Sequence, residues 1–308
     1  MVKNIVEAKD LCKNFGKIRA LDHLNAIFPK GICGLIGPNG SGKTTFIHIL
    51  VGLVKPDSGK AYVLGHDSQK DSLKIRRRIG VLLEDESFPQ NLSVYEYLRY
   101  VSKIKGYSIR KTIRICKEVG LYEYLDRKIK TLSAGMFKML GLVQALIGDP
   151  ELVILDEPTA NLDPLKRKRL LNYIQRVHRE KKVNFLISSH VLPELEEICN
   201  WAVFIYKGKA IDQGYLKDLY VKYSTGIYEI ISDKPKVLAE YLKSFKSIDI
   251  VEEKDDVLRI KVKNYSELKN ALSKALAEKS IQIISFRPLG GLREVFSRAV
   301  EKYSEVIN

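Results

Sequence analysis

Short apolar runs recur along the chain between polar, glycine-rich punctuation, and their period changes twice. Strands are predicted at Val2–Ala8 and Leu21–Phe28, followed by a Pro29-Lys30-Gly31 turn and the apolar run Ile32–Ile36, which enters a glycine-rich loop. A helix from Lys43 to about Val54 comes next, then a short strand at Ala61–Leu64 and another at Ile79–Leu83. From Ser93 to about Gly148 the spacing becomes helical. Ser93 offers a cap before Val94–Ile104, and further helices are expected over Ile109–Gly120 and Ala134–Ile147. Strands return at Leu152–Leu155 and Asn184–Ser188 around a helix at Leu165–Arg179, which is the alternation of a parallel sheet, and Ala202–Tyr206 and Lys209–Gln213 are two more. The tail reads strand Gly226–Ser232, helix Lys236–Phe245, strands Ile248–Glu252 and Val257–Val262, helix Ser266–Ala277 and strand Ile281–Phe286. That βαββαβ order predicts a small ferredoxin-like α+β domain, closed by a helix over Gly291–Tyr303.

Composition agrees with two folded units. A chain of 308 residues with 45% hydrophobic and 29% charged side chains can bury real cores and exceeds what one core usually fills. The expected boundary lies near residue 222, giving domains 1–222 and 223–308, with a helical insertion at about 88–148. No apolar run approaches the ~18 residues of a membrane-spanning helix, and the N-terminal residues lack the order of a secretory signal. A soluble, cytoplasmic chain is therefore expected. The excess of 52 Lys+Arg over 37 Asp+Glu, a net +15, favours polyanionic partners: nucleic acid, anionic lipid or phosphorylated ligands. Cys12, Cys33, Cys116 and Cys199 show no C-x-x-C spacing, so neither a zinc site nor a disulfide framework is indicated.

Chemistry enters at Gly37-Pro38-Asn39-Gly40-Ser41-Gly42-Lys43-Thr44, which fits G-x-x-x-x-G-K-[ST] and sits between an apolar strand and a helix. Glycines let successive backbone N–H groups turn toward phosphate oxygens, and the helix starting at Lys43 adds its positive end. Lys43 can reach the β- and γ-phosphates, and the Thr44 hydroxyl, next to Thr45, can ligate Mg²⁺. The second half of such a site is an apolar strand ending in carboxylates, and Leu152–Leu155 runs into Asp156-Glu157-Pro158. Asp156 suits the Mg²⁺ shell through bound water, and Glu157 lies where it could orient or deprotonate the attacking water.

With these motifs in place, residues 1 to about 220 resemble the nucleotide-binding subunit of ABC transporters. Ile79–Glu84 is similar to that family's Q-loop, with Glu84 where glutamine is usual. Leu132-Ser133-Ala134-Gly135-Met136 is similar to the signature motif, Asn161-Leu162-Asp163 to the D-loop, and His190 after Leu186–Ser189 to the switch histidine. Phe15 matches the aromatic that stacks on adenine. The resemblance implies an α/β fold, a P-loop NTPase core with an antiparallel β subdomain and a helical insertion. It also implies a head-to-tail dimer, either a homodimer or a heterodimer with a different ATP-binding subunit, in which Ser133 and the Gly135 N–H close over the ATP held by the other subunit, with Asp163 beside them. Glu84 joins Thr44 and Asp156 as a metal candidate, and Glu157, His190 and Lys43 are the catalytic candidates. A separately encoded polytopic membrane permease, served from the cytoplasmic face by peripheral association, is the implied partner. Its docking helix is expected near Glu84 and residues 85–100.

Departures from the pattern matter. Ala134 replaces the usual signature glycine, Met136 the common glutamine, and Met139 and Gln144 stand where arginines are common. The βαββαβ tail with Leu292-Arg-Glu-Val-Phe296 resembles the C-terminal domain of antibiotic-exporter-like subunits, which points to export. Without that resemblance, an amphipathic helix covering a sheet explains the same residues. The rival reading is a soluble ABC-type ATPase acting on nucleic acid or ribosomes, supported by the net charge and by runs such as Arg76–Arg78 and Lys166–Arg169. Nucleic acid is disfavoured, because neither a second nucleotide-binding half nor a long coiled-coil insertion is present. Residues 215–308 carry 17 basic and 14 acidic side chains, whereas 70–138 carry 16 against 8. The excess lies on the helical insertion, where anionic lipid would contribute ~1 kcal/mol per well-placed cation.

Overall fold

The computed structural model describes residues 4–223, 226–278 and 281–307. The chain opens with a long hairpin, β1 (Asn4–Phe15) and β2 (Ile18–Pro29), and Val2 and Lys3 of the expected first strand lie outside the described residues. A fully buried strand, β3 (Ile32–Ile36), leads through the glycine loop into α1 (Lys43–Leu50). Instead of running to Val54, α1 stops in a Schellman turn. Gly52 takes φ +72°, Leu53 N–H donates to the His48 carbonyl at 2.8 Å and Gly52 N–H to Ile49 at 3.1 Å. β4 (Ser58–Val63) and β5 (His66–Asp67) complete an antiparallel sheet of order β2-β1-β4-β5.

Next come α2 (Ser72–Arg78), too short to be read from periodicity, and β6 (Ile79–Leu82). The insertion is α3 (Val94–Ile104), α4 (Ile109–Val119) and α5 (Ala134–Leu146). Ser93 builds a full capping box on α3: its hydroxyl accepts from Glu96 N–H at 3.1 Å while the Glu96 carboxylate accepts from Ser93 N–H at 2.7 Å. Core alternation resumes with β7 (Leu152–Asp156), α6 (Pro164–Lys181), β8 (Asn184–Ser189), α7 (Leu192–Ile198), β9 (Trp201–Tyr206), β10 (Lys209–Tyr215) and α8 (Leu216–Tyr223).

These strands join β3 and β6 in one sheet of order β10-β9-β3-β8-β7-β6, parallel except at the β9–β10 hairpin. Register aligns their carboxyl ends: Ile36 lies opposite Ser189, and Asp156 opposite Ser188. A parallel sheet presents its binding crevice at that edge, so the glycine loop and the two carboxylates emerge side by side. Phe28 of β2 stacks on Phe46 of α1 at 5.9 Å between centroids, within a core shared by the antiparallel sheet, α1 and the parallel strands.

The chain divides into two compact units between Lys217 and Asp218, inside α8, with residues from Tyr303 onward grouped with the larger one. The smaller unit contains β11 (Ile227–Ser232), α9 (Pro235–Leu242), β12 (Ile248–Lys254), β13 (Val257–Val262), α10 (Tyr265–Glu278) and β14 (Ile283–Pro288), before α11 (Leu292–Ile307). Its sheet order, β12-β13-β11-β14 with every neighbour antiparallel, is the ferredoxin-like arrangement expected of βαββαβ. Its core includes Ile230, Leu238, Leu258, Ile260 and Leu268. Among the described residues no helix is long and apolar enough to cross a membrane.

One glycine permits the close approach of α5 to the sheet. A Cβ on Gly80 of β6 would stand 1.7 Å from the Ala145 carbonyl oxygen, so β6 and α5 cannot both stay in place around a side chain. Gly80→Ala is expected to lower stability by about 3 kcal/mol, at the upper end of overpacking costs, as a drop in the urea midpoint without a change in slope.

Candidate active site

Loop 37–42 is held by contacts that exclude side chains at two glycines. A Cβ on Gly37 would meet the Ile205 carbonyl oxygen at 2.3 Å, and one on Gly42, at φ +107°, the Ala20 carbonyl at 2.5 Å. Gly42 is the residue before α1, and its carbonyl accepts from Phe46 N–H at 2.9 Å. Pro38, Asn39 and Gly40 form the exposed outer turn, Ser41 is buried, and Thr44 and Thr45 stand half-buried in the first turn of α1. The Ser41 carbonyl accepts from Gly208 N–H at 2.9 Å, which ties the loop to the β9–β10 turn. The result is a backbone cradle at a helix N-terminus, the arrangement that takes phosphate.

Lys43 is buried, and its Nζ donates to the Gly37 carbonyl at 2.8 Å and to Pro38 at 3.1 Å. The same ammonium stands 3.8 Å from Glu157 Oε1. Asp156, at the end of β7, has no exposed surface. Ser188 Oγ donates to its Oδ1, while Oδ2 is buried with no hydrogen-bond partner, as is Glu157 Oε1. Glu157 sits at φ +48°, a backbone state that costs a β-carbon-bearing residue about 1–3 kcal/mol and clusters at functional sites. It is held there by its N–H, which donates to Ser188 Oγ at 3.1 Å and to the Ser188 carbonyl at 3.2 Å. His190 Nδ1 lies 2.9 Å from Glu157 Oε2, with the imidazole half-exposed.

A buried carboxylate oxygen without a donor is costly unless a cation or donor arrives. Two such oxygens beside a lysine and a helix N-terminus therefore fit a phosphate with its divalent cation. Glu84, just past β6, adds to this field. Its carboxyl is held above the ordinary range by partial burial and then by the charges of Asp156, Glu157 and Asp85. A divalent ion near Asp156 would relieve both strains.

Ser133, Gly135 and Asp163 gather at a second place. Ser133 caps α5, accepting from Met136 N–H at 3.4 Å, and Asp163 caps α6, accepting from Lys166 N–H at 2.9 Å. A Cβ on Gly135 would lie 3.1 Å from Leu162, so the two caps are packed together. Among the described residues neither cap is hydrogen-bonded to the Lys43, Asp156, Glu157 and His190 group. Within one chain, then, Ser133, Gly135 and Asp163 group together, outside the hydrogen-bonded set of Lys43, Asp156, Glu157 and His190. Phe15 is half-exposed at the tip of the β1–β2 hairpin, with Lys13 Nζ 5.4 Å from its ring centroid.

Several working residues escape sequence reasoning. Ser188 holds both carboxylate positions, and only the Ser-Ser pair before His190 hints at it. Glu86 is a half-buried carboxyl raised by desolvation to about 7, whose Oε1 accepts from Gln144 Nε2 at 2.6 Å, while Tyr97 donates to Gln144 Oε1. Lys138 donates to the Glu84 carbonyl at 3.1 Å. Thus α5, which begins at the Ser133 cap, grips the 84–86 segment at two points.

A family model for ABC transporters matches residues 21–160. The bacitracin transport ATP-binding protein BcrA of Bacillus licheniformis is 33% identical over 290 residues, spanning 92% of this chain and 92% of its own length. The lantibiotic transport ATP-binding protein SrtF of Streptococcus pyogenes is 37% identical over 208 residues, 67% of this chain and 89% of its own. Among solved structures, the ATP-binding subunit of an ABC transporter superposes with a TM-score of 0.64 at 27% identity, covering 71% of this chain and 93% of that one. A dimeric ATP-binding cassette bound to ADP and Pi gives 0.64 at 22% identity over 68% and 98%, a likeness of fold.

Ser188→Ala removes the donor to Asp156 and a partner of the Glu157 N–H. It is expected to destabilise the fold by about 1–3 kcal/mol, seen in thermal unfolding. A melting temperature equal to the wild type would show that the two carboxylates are positioned without it.

Proposed function

The chain belongs to the ATP-binding subunits of ABC transporters, and we propose that it closes with a second ATP-binding subunit around ATP to drive a separate membrane permease, acting in export. It hydrolyses ATP. The observation that carries the reading is the pair of buried carboxylate oxygens without donors, Asp156 Oδ2 and Glu157 Oε1, next to Lys43 on the glycine loop. The export direction draws support from the bacitracin and lantibiotic transport relatives and from the ferredoxin-like unit.

In this reading Gly37–Thr45 wrap the triphosphate, with backbone N–H groups and the start of α1 facing the phosphates and Phe15 stacked on adenine. Lys43 stays near the β- and γ-phosphates because its stem is buried and two of its donors already hold the loop. Thr44, Asp156 and Glu84 are the residues that would hold Mg²⁺, which when bound offsets phosphate charge. Glu157 accepts the proton of the attacking water through Oε1, the oxygen without a donor. His190, bonded to Oε2, keeps that carboxylate aimed and faces the γ-phosphate with its exposed edge. Water attacks the γ-phosphorus, the bridging P–O bond breaks, and ADP and phosphate leave.

Ser133, the Gly135 N–H and Asp163 lie in the second cluster, so they act on the ATP of the partner subunit. That division explains why two subunits are needed. Closure assembles each site from two chains, and hydrolysis releases it. Residues 1–222 are the ATP-binding domain, and 223–308 are an accessory or regulatory domain. The basic insertion, about 88–148, faces the permease and the anionic leaflet, which places the subunit peripherally on the membrane.

Glu157→Gln keeps size and hydrogen bonding but cannot take a proton. Hydrolysis is expected to fall by about a hundredfold or more, while added ATP shifts the variant to a dimer in size-exclusion chromatography. Wild-type turnover in this variant would contradict the assignment of Glu157.

A further inference from the structure

One buried carboxylate joins three separate segments of the site. Glu194, in α7, is 6% exposed. Thr159 Oγ1 donates to its Oε2, and Arg167 Nε lies 2.8 Å from its Oε1. From Nη2 the same arginine donates to the Leu162 carbonyl at 3.3 Å. Thr159 closes the turn that begins at Glu157, since its carbonyl accepts from Leu162 N–H at 3.2 Å and the Glu157 carbonyl accepts from Ala160 N–H at 3.2 Å. Leu162 immediately precedes Asp163, and Glu194 follows His190 in the segment that enters α7. From the segment that follows His190, the carboxylate thus reaches the turn of Glu157 through Thr159, and the segment of Asp163 through the ion-paired Arg167.

We propose that Glu194 is a positioning residue for hydrolysis, setting Glu157, His190 and the 161–163 segment in one frame through Thr159 and Arg167. A buried ion pair is poor at adding net stability compared with well-packed apolar groups. Its advantage is geometric: Oε2 accepts from Thr159, and Oε1 faces the Arg167 guanidinium across a 2.8 Å ion pair that lacks hydrogen-bond geometry, so the carboxylate is held between two segments. Displacing a reacting group by about 1 Å can cost about a hundredfold in rate, and Glu157 already occupies a left-handed backbone state that only its surroundings enforce. The proposal rests on the reading of Glu157 and His190 as the hydrolytic pair.

The test is steady-state ATP hydrolysis by the full chain, with binding of a fluorescent ATP analogue and thermal unfolding measured alongside. Glu194→Gln places an amide against Arg167, and Thr159→Val removes one hydroxyl with little change of shape. In Glu194→Gln kcat is expected to fall about tenfold or more, with KM and analogue affinity within about twofold of wild type. Thr159→Val should move kcat in the same direction by a smaller factor. Wild-type kcat per folded molecule in both, with only a lower melting temperature, would overturn the proposal by showing a structural brace alone. Should Glu194→Gln not fold, Thr159→Val decides by the same split. His190→Ala is the reference: wild-type turnover there would overturn the reading of the hydrolytic pair, separately from the outcome at Glu194.

Discussion

Burying an ammonium and two carboxylates together at the end of a parallel sheet is the constraint on which the rest of this structure depends. Lys43, Asp156 and Glu157 are all nearly or wholly removed from solvent, and one oxygen of each carboxylate has no hydrogen-bond partner. An incompletely paired buried carboxylate costs several kcal/mol, so the surrounding fold has to supply the difference. It does so with fully buried strands. β3 and β7 carry no exposed residue, and the hairpin β1–β2 folds over α1 through the Phe28–Phe46 stack. The strain at the site is the reason for the rigidity around it.

The helical insertion obeys a different logic. Its junction with the core adds polar links to apolar packing: Lys138 donates to the Glu84 carbonyl and Gln144 to Glu86, while Phe88 packs against Tyr97 and Phe137 and the buried apolar residues of α5 lie along β6. Because α5 both starts at the Ser133 cap and holds the 84–86 segment, movement of one is felt by the other. The unusual residues of this chain converge here. Glu84 and Gln144 sit on the two sides of that junction, and the substituted signature position Ala134 is exposed at the start of α5.

Much of this was legible from residues alone. The glycine loop and the Asp156-Glu157 pair were readable because close backbone approach and metal chemistry admit few side chains, and the structure places them together. The βαββαβ order of the tail was readable because its apolar periods are clean, and its strand order follows from chain connectivity. Three things escaped. Short helices such as α2 and α7 carry too few turns for a period. The stop of α1 at Leu50 depends on the left-handed state of Gly52, not on hydrophobicity. Ser188, Thr159, Arg167 and Glu194 work through contacts between distant segments, which leave no local pattern.

The buried charges around Lys43 form a receptor for the phosphates of ATP and a divalent ion. Its most direct test is thermal unfolding of the full chain with a non-hydrolysable ATP analogue and Mg²⁺, compared with Lys43→Met under the same conditions. Saturating ligand should raise the wild-type melting temperature by about 5 °C or more and leave Lys43→Met unchanged. No rise in the wild type, or an equal rise in both, would contradict the account.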